Sequence, residues 1–261
     1  MVSMAEFEQA KDKVMMGVER RSLVMSEEEK RMTAYHEAGH ALCALHQKEC
    51  DPVHKATIIP RGRALGLVMS LPEGDRYSKS RAKLLAELTM AMGGRAAEEI
   101  IFGPDNVSNG AAGDIKMATE QARRMVTEWG MSEKLGMIAY GENSQEVFLG
   151  YSVTQHKNIS EATAQAIDAE IKRIIDNAYE KAKKILTDNI EELHRLAQGL
   201  LEYETLSGDE IRMVLRGEKI VRKSPEEQAA ESRRASVPPA VVPQPAPPPP
   251  GTGLGPAPLP G

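Results

Sequence analysis

The sequence has few aromatic residues and few cysteines. Phenylalanine, tryptophan and tyrosine make up only 4% of its 261 residues, with a single tryptophan, Trp129. A core with so few rings has to be built from Leu, Ile, Ala and Met, as is usual in helical proteins. The two cysteines, Cys43 and Cys50, are seven residues apart, and on one helix they would lie about 10 Å apart along its axis, too far for an unstrained disulfide. We therefore expect two reduced thiols, as in a cytosolic compartment.

Three further absences narrow the possible functions. No apolar run approaches about 18 residues, so the sequence predicts no membrane-spanning helix. It contains no GxxxxGK[ST] motif, and hence no P-loop ATPase site. Its net charge of −5 gives no electrostatic reason to expect nucleic-acid binding. Its length and its 41% hydrophobic content suit one large or two small globular domains.

The hydrophobic pattern predicts a mainly helical protein with a small β-sheet. Residues 1–25 are interpreted as a short helix ending near Gly17 and a connector, which precede a domain at 26–221. Ser26, followed three residues later by Glu29, is a capping-box signature that opens a helix running to about Lys48. The pattern then predicts β-rich runs at 55–60 and 65–72, weak strands at 136–151, and helices at 79–101, 115–129, about 157–187, 189–203 and from Ser207.

Proline is concentrated at the C-terminal end of the sequence. Twelve of the 16 prolines lie in the last 38 residues, mixed with Ala, Gly and charged residues. This composition cannot bury a core, so we expect residues 222–261 to form a disordered tail.

The segment His36-Glu37-Ala38-Gly39-His40 is an HExxH motif on the first long predicted helix. Positions i and i+4 differ by about 40° around a helix and lie one turn apart, so His36 and His40 can share one Zn²⁺. Glu37 lies beside the first ligand and can reach a water on the metal, which is the position of a general base. The motif therefore predicts a zinc site with Glu37 as the catalytic residue.

Such a site needs a third protein ligand and an open fourth position, and His46 is the first candidate. It completes the spacing HExxHxxxxxH, but Cys43 occupies the position at which that motif requires glycine. If the helix continues, His46 points about 120° away from His40 and lies about 9 Å further along the axis. A half-exposed surface histidine is then the simpler interpretation of His46.

The other candidates are carboxylates. Glu98 or Glu99, on the 79–101 helix, would copy the gluzincin arrangement, or else serve as a buried hydrogen-bond partner. Asp114 follows the Gly-rich loop 106–114, and such a loop can bring a carboxylate close to a metal held on another helix. A plain helix N-cap is the alternative role for Asp114. The residues alone leave these choices open.

The chain resembles the peptidase domain of the FtsH family of membrane-anchored, ATP-dependent zinc metalloproteases. The resemblance covers about residues 8–216 and keeps the order of the motifs. It is carried by the stretches "ERRSLVMSEEEKRMTAYHEAGHA", "DPVHKATIIPRGRALG", "GGRAAEEIIFG", "SNGAAGDIKMAT", "ARRMVTEWGMSEKLG" and "ETLSGDEI".

The resemblance implies that His36, His40 and Asp114 hold Zn²⁺ and that Glu37 is the catalytic base. It also implies a helical domain with a small sheet, a homo-hexameric ring, and unfolded polypeptides as substrates. The resemblance further implies that, in the family, an AAA+ ATPase domain and two transmembrane helices normally precede this region, which then lies at the cytoplasmic face of the bacterial inner membrane. This sequence contains neither, so we expect a soluble fragment or a truncated gene product. A catalytically silent, ring-forming interaction module is the alternative function.

The run "LGLVMSLP" at 65–72 is a candidate substrate-binding strand. Peptidases commonly bind substrate as an added strand at a sheet edge. Gly66 permits close backbone approach, and Pro72 is tolerated at an edge. The alternative is an ordinary core strand, and the family resemblance favours the edge.

Overall fold

The computed structural model describes residues 4–20, 22, 25–62, 64–72, 74, 77–140, 159–220 and 222. These residues form a mainly helical domain with one small antiparallel sheet, which confirms the expected fold class. In chain order the elements are α1 (Met4–Met16), α2 (Glu27–Leu45), β1 (Val53–Thr57), β2 (Leu67–Ser70), α3 (Arg81–Phe102), a 3₁₀ turn (Pro104–Asn106), α4 (Ala112–Thr127), α5 (Glu161–Asp188), α6 (Ile190–Tyr203), β3 (Thr205–Ser207) and α7 (Gly208–Leu215).

Helix α2 is the central helix of the domain and begins with the predicted capping box. The Ser26 hydroxyl accepts a hydrogen bond from the Glu29 amide at 3.2 Å, and the Glu29 carboxylate accepts one from the Ser26 amide at 2.9 Å. Three glutamates in the first turn complement the helix dipole. Helices α3 and α6 cover α2, which buries most of its second half.

Glycines allow α2 and α3 to approach each other backbone to backbone. A Cβ atom built on Gly39 of α2 would lie 2.4 Å from the carbonyl oxygen of Gly93 in α3. A Cβ built on Gly93 would lie 2.6 Å from the carbonyl oxygen of Gly39. No larger residue fits at either position without moving a helix, so this contact fixes the spacing between the helix that carries the HExxH motif and its neighbour.

The sheet has the strand order β2-β1-β3, with antiparallel pairing throughout. The predicted runs 55–60 and 65–72 are found at Val53–Thr57 and Leu67–Ser70. Strand β3 was not predicted from the sequence and pairs Leu206 with Ala56 of the central strand. Within the described residues β2 has β1 on one side only, so it is an edge strand.

The other differences from the prediction are local. Helix α2 ends at Leu45 rather than near Lys48, and α4 begins at Ala112 rather than residue 115. Residues 136–140 form no strand, while 141–151 and the predicted tail beyond Arg222 lie outside the described residues. None of the described helices is long and apolar enough to cross a membrane. Cys43 and Cys50 are both free thiols, as expected.

Candidate metal centre

Three side chains from two helices converge at one point. The Nε2 atoms of His36 and His40, one turn apart on α2, are 3.0 Å from each other. The Oδ2 atom of Asp114, in the first turn of α4, lies 3.3 Å from the first of these atoms and 3.6 Å from the second. These three residues form a group that can offer three ligand atoms to one metal ion. The structure thus brings together the three residues expected as ligands.

Hydrogen bonds made by the Nδ1 atoms of His36 and His40 orient the two rings so that their Nε2 atoms face this point. The Nδ1 atom of His36 lies 2.6 Å from Oε1 of Glu98, and Nδ1 of His40 lies 2.8 Å from the carbonyl oxygen of Met90. A carboxylate and a carbonyl oxygen only accept hydrogen bonds, so each Nδ1 has to carry the proton. In the neutral rings, two Nε2 lone pairs then face the Asp114 carboxylate. This donor set of two imidazole nitrogens and one carboxylate oxygen suits Zn²⁺.

Gly94 of α3 leaves the space that the two imidazole rings occupy. A Cβ atom at this position would lie 2.5 Å from Nε2 of His36 and 2.6 Å from Nε2 of His40. Any side chain larger than hydrogen would therefore collide with the atoms that face the metal position. The two imidazole rings can therefore reach their positions only because residue 94 of α3 has no side chain.

The electrostatics of the cluster also favour a positive charge between these groups. Burial on its own lowers the pKa of His36, but hydrogen bonds to Asp114 and Glu98 and the nearby charge of Glu37 raise it to about 10. Burial raises the pKa of Asp114, but hydrogen bonds from both histidines hold it well below its usual range. Without a positive charge, the lone pairs of the histidines and the negative carboxylate of Asp114 would face one another and repel. Either a proton or a metal cation between them removes this repulsion.

Glu37 is almost fully buried and points towards the segment before β2. A Cβ atom on Gly66 would lie 2.5 Å from its Oε1 atom and 2.6 Å from its Cγ atom. In this structure the absence of a side chain at Gly66 accommodates Glu37, whereas the expected approach of a substrate backbone at Gly66 stays a prediction. Desolvation raises the pKa of Glu37, whereas the charges of His40 and His36 lower it.

His46 does not reach the metal centre, but the reason differs from the expected one. Helix α2 ends at Leu45, and His46 is its C-cap residue rather than a continuation of the helix. Its Nε2 atom lies 2.8 Å from Oε2 of Glu192 in α6, with the histidine side chain 33% exposed. The expectation of a partly exposed histidine outside the site is correct, while the expected helical continuation is wrong.

The two glutamates of α3 have separate roles. Glu98 is buried and is a hydrogen-bond partner of His36, which was one of its two expected roles. Glu99 points elsewhere and accepts hydrogen bonds from Tyr179 and, at 2.9 Å, from Lys183 on α5. Neither carboxylate belongs to the group of three that converges on the metal position.

Asp114 is not the N-cap of its helix. Helix α4 begins two residues earlier, with Ala111 at the N-cap position and no side-chain cap among the described residues. Asp114 thus lies inside the first turn and directs its carboxylate to the histidines. Because α4 begins earlier than the sequence predicted, Asp114 lies within the helix. This excludes the N-cap role that the sequence left open for Asp114.

The sequence reasoning missed the contributions of α3 to the site. It did not identify Gly94, the carbonyl group of Met90, or the contacts of Glu98 with the loop before Asp114. The available signal was the pair Gly93-Gly94 inside a predicted helix, since paired glycines in a helix interior are unfavourable unless packing requires them.

Comparisons with known proteins agree with this geometry. The profile described as "Peptidase family M41" matches residues 23–214. A protein from Caulobacter vibrioides (strain NA1000 / CB15N) named "ATP-dependent zinc metalloprotease FtsH" is 58% identical over 243 residues, 93% of this chain and 38% of that relative. A protein of the same name from Neorickettsia risticii (strain Illinois) is 53% identical over 89% of this chain and 35% of that relative. Another, from Rickettsia bellii (strain RML369-C), is 54% identical over 82% of this chain and 33% of that relative. The chain thus spans little more than a third of the length of these relatives, and it belongs to peptidase family M41.

Proposed function

We propose that this chain is a zinc-dependent metalloendopeptidase domain in which His36, His40 and Asp114 hold Zn²⁺. The observation that carries the proposal is the convergence of two Nε2 atoms and one carboxylate oxygen at a single point. The names of the relatives, which describe zinc metalloproteases, support the choice of metal. When bound at such a site, Zn²⁺ lowers the pKa of a water molecule to about 7 and polarises a carbonyl group.

In this proposal Glu37 is the general base. Its carboxylate accepts the proton of the attacking water and later delivers it to the nitrogen of the departing amine. Glu37 is 6% exposed and lies against Gly66, which limits the contact of its carboxylate with bulk solvent. A buried carboxylate of this kind keeps its geometry while the proton moves.

We propose that the substrate is an unfolded polypeptide bound as an extended strand beside β2. This strand has no partner on its outer side within the described ranges, and its N-terminal end follows Gly66, which contacts Glu37. A peptide added to this edge would therefore pass close to the general base. A folded substrate does not present such a segment.

The remaining expectations about the whole protein are also proposals. We divide the chain into a connector (1–25), a peptidase domain (26–221) and a tail (222–261), a division that the family match over 23–214 supports. The names of the relatives include ATP dependence, so we propose that an AAA+ ATPase domain delivers unfolded substrate to this domain. We further propose a homo-hexamer at the cytoplasmic face of a membrane, as the resemblance implies.

The test combines metal analysis with cleavage of casein. The purified chain should contain about one zinc per chain and hydrolyse casein, and a chelator should abolish both. Glu37→Gln should retain the zinc and reduce hydrolysis to about one per cent or less, because loss of a general base typically costs at least 10²-fold. A chain that contains zinc but never cleaves casein would instead support the silent ring-forming module.

A further inference from the structure

Ser108 lies at the start of the loop that leads to Asp114, and all of its polar atoms are bonded. Its amide donates to Oε2 of Glu98 at 2.6 Å, and its hydroxyl donates to Oε1 of the same carboxylate at 3.1 Å. The hydroxyl also accepts from the amide of Gly110 at 3.0 Å, and the Ser108 carbonyl accepts from Nη2 of Arg95 at 2.9 Å. Such complete pairing holds the serine in one position.

The two residues that hold Ser108, Arg95 and Glu98, both lie on α3. Arg95 and Glu98 are three residues apart, so they project from the same face of the helix. We name the group of Arg95, Glu98 and Ser108 the Ser108 clamp. The carboxylate of Glu98 is also the partner of Nδ1 of His36, at 2.6 Å. One buried carboxylate therefore contacts both a ligand histidine on α2 and the loop that leads to the ligand aspartate.

In the part of the chain that the structure describes, the first turn of helix α4 has no side-chain cap to fix its start. Its N-cap residue, Ala111, makes no side-chain hydrogen bond to the first turn, and the only acidic residue of that turn is Asp114. The carboxylate of Asp114 is directed to the histidines and not to the helix amides. Because a missing cap typically costs about 1 kcal/mol, the loop that precedes this first turn contributes to holding it in place.

We propose that Ser108 is a positioning residue for the metal centre: through Glu98 it sets the location of Asp114 relative to His36. This inference rests on the proposed zinc site but concerns a residue that touches neither metal nor substrate. Replacing Ser108 by alanine removes the hydroxyl bonds to Glu98 and Gly110 and leaves the two backbone bonds of the clamp. The loop before α4 then keeps only the amide bond of residue 108 to the carboxylate that orients His36, and Oε1 of Glu98 loses its bond to the loop.

The experiment compares Ser108→Ala with Ser160→Ala. The Ser160 hydroxyl likewise bonds one backbone amide, that of Thr163 at 3.2 Å, and one side-chain oxygen, Oγ1 of Thr163 at 2.9 Å. It caps α5 and has no contact with the metal centre. Each variant therefore loses one bond to a backbone amide and one to a side-chain oxygen, and only Ser108→Ala loses them at the clamp. Zinc dissociation constants are measured by competition with a chromogenic chelator, and melting temperatures are measured for the metal-free proteins.

We expect Ser108→Ala to raise the zinc dissociation constant about 10-fold or more, since outer hydrogen-bond partners of metal ligands typically contribute about 10–100-fold. Ser160→Ala should leave that constant within about 2-fold, and Ser108→Thr, which keeps a hydroxyl, should restore it. An unchanged constant in Ser108→Ala would overturn the inference, as would an equal rise in both alanine variants or a Ser108→Ala protein that fails to fold. Absence of zinc from the unaltered chain would refute the proposed function itself, which is a separate outcome.

Discussion

The close contact between Gly66 and Glu37 makes a single methyl group a test of the catalytic geometry. In Gly66→Ala the new Cβ would lie 2.5, 2.6 and 2.8 Å from Oε1, Cγ and Cδ of Glu37. The contact includes Cγ as well as the carboxylate end, so rotation of the carboxylate alone does not relieve it. Gly66 does not have a positive φ, and the backbone itself accepts alanine without strain. The substitution therefore acts through the contact between residue 66 and Glu37.

The size of the displacement follows from these distances. Carbon atoms in ordinary contact are about 3.5–4.0 Å apart, so Glu37 or the segment before β2 has to move by about 1 Å. A misplacement of this size in a catalytic group can reduce a rate about 10²-fold. The three atoms nearest to the new methyl group all belong to Glu37 and none to the ligands His36, His40 and Asp114. We therefore expect kcat for peptide hydrolysis to fall about 10²-fold while the zinc content and the zinc dissociation constant stay the same.

The assay is steady-state cleavage of a fluorogenic peptide, with zinc measured on the same samples. Gly74→Ala is the matched control, because a Cβ at Gly74 meets no atom within 4 Å and its φ is not positive. It should retain the activity of the unaltered chain. Activity of Gly66→Ala within about 3-fold of that value would refute the expectation that the new methyl group displaces Glu37. Loss of zinc from Gly66→Ala would show that the displacement extends to the ligands.

Three further outcomes test other parts of the structure. Asp114→Ala should lose zinc on dialysis, whereas His46→Ala, whose partner is Glu192 on α6, should keep it; a zinc-free His46→Ala protein would overturn the ligand assignment. Hydrogen bonds from Arg173 and Ser132 lower the pKa of Glu170 from 4.5 to about 2, so its contribution to stability is present above about pH 5 and is lost as the pH falls towards 2. Glu170→Gln should accordingly lower the melting temperature of the metal-free protein at pH 7, by a margin that shrinks below pH 5, and a margin independent of pH would contradict this. Removal of residues 224–261, whose composition predicts no packed core, should leave melting temperature and activity unchanged, and a drop of several degrees would show that the tail packs on the domain.

The sequence predicted those features that depend only on residues close together in the chain. The capping box at Ser26 and Glu29 marked the start of α2, and the HExxH spacing placed two histidines on one face of that helix. Ser207 and Glu210 form a second capping box, at the start of α7. These features depend on residues three or four positions apart, so the chain alone specifies them. The choice of Asp114 over Glu98 and His46 needed the family resemblance, because it depends on how separate helices meet.

The features that the sequence did not predict depend on distant partners. Strand β3 has only three residues, and its pairing with β1 joins segments about 150 positions apart. The start of α4 was placed too late because Gly113 is a poor helix former, yet it lies within the first turn. In both cases tertiary contacts override a local preference. The same holds for Gly94, whose role becomes visible only once α2 and α3 are in contact.

The close contact between Gly39 of α2 and Gly93 of α3 is expected to control both stability and zinc binding. In Gly39→Ala the new Cβ would lie 2.4 Å from the carbonyl oxygen of Gly93 and 2.7 Å from Cβ of Ala97. Neither atom can rotate away, so the two helices have to separate by about 1 Å, and α3 then carries Glu98 away from His36. We expect a loss of about 1–3 kcal/mol in stability, as for other overpacked cores, together with weaker zinc binding. Gly113→Ala, at a helical position where a Cβ meets nothing within 4 Å, should not destabilise the protein. Equal melting temperatures and zinc affinities for Gly39→Ala and the unaltered chain would show that the spacing of these helices does not control the site.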